Sequence, residues 1–136
     1  MLSVGLLGLA HLQLTTLKHA QTAEFRSQAS ILAADILNKI RTNQVAARTS
    51  DFNVALGDPL MLESSPSMAQ YDLVQWQARI SQSLPQGEGA IDCPTVAADE
   101  VLICQITIRW IETQIGDADE DYGELGYSEF IFSGAV

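Results

Sequence analysis

Positive charge is scarce in this chain. Seven Lys and Arg stand against seventeen Asp and Glu, a formal net charge of −10 over 136 residues. Phosphates would be repelled by that balance, which argues against nucleic acid as a partner and against simple adsorption to anionic lipid. Cysteine is almost as rare, with only Cys93 and Cys104 present. Neither belongs to a C-x-x-C pair, which speaks against thioredoxin-like redox chemistry and against a zinc knuckle. Ten residues separate the two. In an oxidising compartment they could close a short loop worth about 2–3 kcal/mol. In a reducing one they would be two core thiols.

Sequence patterns for catalysis are also missing. There is no G-x-S-x-G elbow, no P-loop and no dinucleotide-binding glycine fingerprint. His11 and His19 lie eight residues apart in a helical stretch, about 12 Å along the axis, too far to share a metal ion. Asp72 and Glu88 carry no pocket signature around them. An enzyme is not expected, and neither is a resident cofactor, with one candidate exception treated below.

Helix breakers are few in the first third of the chain. No proline precedes Pro59, and Gly5 and Gly8 are the only glycines before Gly57. With 47% hydrophobic and 18% charged residues, the chain has an ordinary globular balance and is long enough to bury one core. The spacing predicts one long helix over residues 1–48. Leu2, Leu6 and Leu9, then Phe25, Ala29, Leu32, Ile36 and Ile40, recur close to a 3.6-residue period. Residues 1–19 are apolar nearly all round. Residues 20–48 are amphipathic, with Gln21, Glu24, Arg26, Gln28, Asp35, Lys39 and Arg41 on the other faces. A rod of that length outreaches a domain of this size, so its front half should protrude.

The apolar opening, residues 1–14, is too short for a membrane span, which needs about 20 residues. It lacks the basic region and cleavage site of a signal peptide. The start of the helix is therefore expected to be missing, and the chain as written lacks a complete span.

Residues 49–136 read as a globular α+β head. Residues 49–66 are loop-like. Ser67 is an expected N-cap for a second helix reaching about Leu84, with Leu73, Trp76, Ile80 and Leu84 on one face. Pro85, Gly87 and Gly89 should end it. A short strand is expected over residues 90–93. A clear strand over 101–111 alternates Leu102, Cys104, Ile106, Ile108 and Trp110 against Gln105, Thr107 and Arg109. Residues 127–132 should return beside it after a turn over 116–126. The fold class is thus α+β: a long N-terminal helix packed on a small antiparallel sheet, with a second, shorter helix.

Several segments resemble the minor pilins of the PilV family, the type IV pilus modification proteins. They are Leu2-Ser3-Val4-Gly5-Leu6-Leu7-Gly8-Leu9-Ala10 with Leu12-Gln13, Arg26-Ser27-Gln28-Ala29, Leu32-Ala33-Ala34-Asp35-Ile36, and Arg41-Thr42-Asn43. Trp76-Gln77-Ala78-Arg79, the turn from Leu84 to Gly89 and Thr107-Ile108-Arg109-Trp110 look similar to the same family. The resemblance implies a pilin-like fold and a non-enzymatic filament subunit acting in the initiating or tip complex. It implies other minor pilins, the major pilin and a large tip-associated protein as partners. It also implies anchorage in the inner membrane through the missing segment, and residence in the periplasm and the filament. The family's basic leader, its glycine–aromatic cleavage motif and the glutamate after it have no counterpart here. No residue of this chain can therefore be given the role of cleavage site or methylated N-terminus. Pseudopilins of type II secretion share the same plan and are the alternative.

Two candidate sites follow. Leu2, Val4, Leu6, Leu7, Leu9, Leu12 and Leu14 form the expected assembly surface, with Gly5 and Gly8 small enough for close helix approach. Asp117, Asp119 and Asp121 resemble the opening of an EF-hand-type calcium loop. The glycine there, Gly123, and the candidate bidentate residue, Glu129, each fall one position late. The competing reading is a solvated, self-repelling hairpin tip; a calcium-dependent binding module is the corresponding alternative function.

Overall fold

The computed structural model describes the backbone of residues 2–111 and 127–136, and the side chains of that set apart from residues 2–19 and Gln21. The chain opens with one continuous helix, α1 (Leu2–Thr42), followed by a single turn, α2 (Gln44–Arg48). A third helix, α3 (Met68–Ser83), leads into three strands, β1 (Glu88–Asp92), β2 (Ile103–Ile111) and β3 (Tyr127–Ala135). The strands form one antiparallel sheet in the order β1-β2-β3. The architecture is therefore α+β, with the long helix laid on the sheet beside a shorter one.

The rear half of α1 buries the stripe that its spacing predicts. Ala29, Leu32, Ile36 and Ile40 are fully or almost fully buried, widened by Ala33 and Leu37. They meet Leu73, Trp76 and Ile80 of α3 and the inner face of β2, where Cys104, Ile106, Ile108 and Trp110 alternate inward. Buried apolar area of this kind supplies most of a small domain's stability.

The first helix is not continuous to residue 48. It breaks at Asn43, whose backbone leaves the helical region at φ −128°, ψ 62° and whose N–H bonds Ile40 rather than a residue four back. Asparagine competes poorly for helix interiors. The break tips Ala46 and Ala47 into the core. Ser50 then adopts φ 64°, and Asp51 N–H closes on the Ala46 carbonyl at 2.9 Å. That is a Schellman stop, with serine where glycine is usual.

Helix α3 begins as expected. Ser67 Oγ accepts from Gln70 N–H at 3.1 Å and caps it. Two strands run longer than the spacing alone predicts, while β2 begins at Ile103 and not at residue 101. β1 starts at Glu88 and takes in Gly89, while β3 runs past Phe132 through Gly134 to Ala135. Both glycines sit where a helix crosses the sheet. A Cβ on Gly89 would lie 2.5 Å from the Trp76 ring, and one on Gly134 would strike Leu37. They are points of close approach, not breaks.

Candidate functional site

Residues 2–24 of α1 are continuous with the seated half of the helix, about 35 Å of rod ahead of Phe25. The candidate assembly residues Leu2, Val4, Leu6, Leu7, Leu9, Leu12 and Leu14 all lie on that helical backbone. Their side chains are outside the described set, so the structure fixes their register and not their contacts. Among the described residues, no helix is long and apolar enough to cross a membrane.

What seats the rod is well defined. Trp76 is wholly buried, and its Nε1 donates to the Leu32 carbonyl at 2.9 Å, joining α3 to the middle of α1. Alongside, Asp35 takes Arg79 at 2.6 Å and lies 3.9 Å from Lys39, which in turn lies 3.8 Å from Asp72. These groups are partly exposed, so each pair adds only about 0.5 kcal/mol, but together they set how the helices are rotated. At the end of α1, Arg41 Nε donates to the Ala135 carbonyl at 2.9 Å and ties the helix to β3.

Cys93 and Cys104 are joined by a disulfide, with Cα atoms 4.3 Å apart and both residues fully buried. The register that pairs Asp92 with Gln105 continues one step to place them directly opposite. This is a non-hydrogen-bonded pair, the closely spaced kind in an antiparallel ladder. The bridge closes a loop that Arg48 also holds, donating to the carbonyls of Ala97 at 3.3 Å and Glu100 at 3.1 Å.

On the outer face of the sheet, Arg109 Nη2 donates to Glu88 Oε2 at 2.6 Å, and its guanidinium lies 4.6 Å from the centroid of the Tyr127 ring. The bond to Glu88 raises the Arg109 pKa above its ordinary value. The sequence hides this cluster, because it depends on cross-strand register: Glu88 opposite Arg109, and Arg109 opposite Glu129.

A shallow cleft of about 490 Å³ lies between residues 53–58 and the β1 side of the sheet. Its polar lining includes Asn53, Asp58, Asp92, Gln105 and Thr107, with no histidine or cysteine. Asp58 already accepts from the Ala55 N–H at 3.0 Å. Among the described residues, no group of three His, Cys, Asp or Glu is placed to hold a metal ion. The candidate calcium loop, Asp117, Asp119 and Asp121, lies outside the described residues.

No known family model, curated protein or solved structure matches the chain.

Proposed function

We propose that this chain is a filament subunit of the minor-pilin kind, taking part in type IV pilus assembly by helix packing and head-to-head contacts. One observation carries the reading. A continuous 41-residue helix seats its rear half in the core of a small α+β head, and the sequence of its front half is apolar nearly all round. An apolar helix that runs about 35 Å ahead of the seated stripe is the kind of surface that neighbours or lipid cover. In a filament, front halves would pack into a central bundle, with Leu2, Val4, Leu6, Leu7, Leu9, Leu12 and Leu14 supplying the contact. The heads would form the outer shell.

Two further observations support the reading. The disulfide suits an oxidising compartment, such as the periplasm, in which a pilin head folds. The seating of α1 by Trp76, the Asp35 network and Arg41 gives the rod a fixed direction relative to the head, as an ordered lattice requires. The partners in this reading are other minor pilins, the major pilin and a large tip-associated protein.

Deletion of the gene tests it. The expected result is a marked fall in the number of surface pili. Unchanged piliation would contradict the proposal, and a loss of protein export with normal pili would reassign the chain to a type II secretion pseudopilus.

A further inference from the structure

The two edges of the sheet are finished differently. On the β1 side, Gln77 donates to the Gly89 carbonyl at 2.6 Å and accepts from its N–H at 3.2 Å. Val54 exchanges two bonds with Ile91, at 3.0 and 2.9 Å. Asn53 does for Cys93 what Gln77 does for Gly89, at 3.2 and 2.8 Å. Every second residue along that edge thus has its outward backbone groups occupied.

Among the described residues, the β3 edge is open by comparison. Val136 N–H bonds the Leu102 carbonyl at 2.8 Å. Pairing state alternates along an antiparallel ladder, so Gly134, Phe132 and Phe130 bond inward to β2. Ala135, Ser133, Ile131 and Glu129 therefore turn their N–H and C=O groups outward. Among the described residues, Arg41 Nε donates to the Ala135 carbonyl on this edge. A nine-residue strand carrying one charge, Glu129, and no proline lacks the usual protections against pairing.

We propose that this edge pairs with β3 of a second copy of the chain, antiparallel, about a two-fold axis at Ile131. The strand is self-complementary in that register. On the outer face, Ile131 stands opposite its own counterpart, and Glu129 stands opposite Ser133. On the inner face, Phe130 faces Phe132, and Ser128 faces Gly134. The rings of Phe130 and Phe132 stack with centroids 6.5 Å apart and are only half-buried, and the second strand would cover them. Other registers are worse. Centring on Phe130 or Glu129 brings the two Glu129 carboxylates into diagonal or direct opposition. Centring on Phe132 leaves only the Ile131–Ser133 pairs clear of the Ala135 carbonyl that Arg41 occupies, whereas centring on Ile131 keeps both Glu129–Ser133 pairs besides the central one. A two-strand ribbon buries little area, so the dimer forms in a concentration-dependent way. The proposal stands independently of the pilin reading, since it rests on the sheet and not on the front of α1.

Cysteine cross-linking of the full chain tests it. Ile131 and Ile103 are both 55% exposed, on the same face, one on the edge strand and the other on the central strand. Under mild oxidation, Ile131→Cys is expected to give a covalent dimer about tenfold faster than Ile103→Cys, because pairing raises the local thiol concentration. A mixture of Glu129→Cys and Ser133→Cys should cross-link to each other in preference to themselves. Equal rates for Ile131→Cys and Ile103→Cys would overturn the proposal. So would the absence of a dimer with Ile131→Cys, the outcome expected if a strand from a different protein occupied the edge.

Discussion

The indole Nε1 of Trp76 donates to the main-chain carbonyl of Leu32 at 2.9 Å, across the α3–α1 interface. The same ring lies against Gly89, so one side chain fixes helix α1, helix α3 and strand β1 relative to each other. Replacing Trp76 with Phe removes the donor and some volume but keeps an aromatic ring in place. The expected loss is about 1–3 kcal/mol, read from chemical denaturation. A loss below the error of the fit would show that the indole bond does not seat the rod.

Gly89 and Gly134 should be intolerant of side chains. Gly89→Ala places a Cβ 2.5 Å from Trp76 and 2.7 Å from Ile80, both wholly buried. Overpacking of this kind destabilises by about 1–3 kcal/mol. The thermal midpoint of the variant checks it, and Ala78→Gly on the exposed side of α3 serves as a control of ordinary size.

Two helix-end substitutions are expected to act in opposite directions. Ser50 holds φ 64°, a conformation that opposes any side chain, so Ser50→Gly should stabilise by about 1 kcal/mol. Ser67 caps α3 through Gln70 N–H, so Ser67→Ala should destabilise by about 1 kcal/mol. Urea midpoints of the two variants, compared with the parent, give the signs directly.

The Cys93–Cys104 bridge should contribute strongly. Cys93→Ser combined with Cys104→Ser is expected to lower stability by about 2–4 kcal/mol, and reductant should do the same to the parent while leaving the double variant unchanged. A reductant effect on the double variant would place the sensitivity elsewhere.

Much of this fold is legible in the sequence because its elements are strongly periodic. The stripe from Ala29 to Ile40, the Ser67 cap and the alternation from Cys104 to Trp110 each follow from local spacing. The misplaced boundaries have a common cause. Gly89 and Gly134 look like breakers locally, yet each lies in a strand because a helix passes too close for a Cβ. Asn43 looks like an ordinary helix residue, yet the helix breaks there to bring Ala46 and Ala47 inward. Only the packed structure exposes those constraints. The same is true of the edges: nothing local marks Gln77 and Asn53 as the residues that close β1. Nor does anything local mark Arg41 as a tie to the β3 side.

On the proposed function, the apolar front of α1 assembles a filament while the head folds around its rear. This is tested most directly by counting pili on cells that lack the gene and carry either the wild-type chain or Leu9→Asp. The substitution lies well ahead of the seated stripe, so the thermal midpoint of the head should not change. The wild-type chain is expected to restore pili and Leu9→Asp is not. Equal restoration by both, with the chain present at equal level, would contradict it.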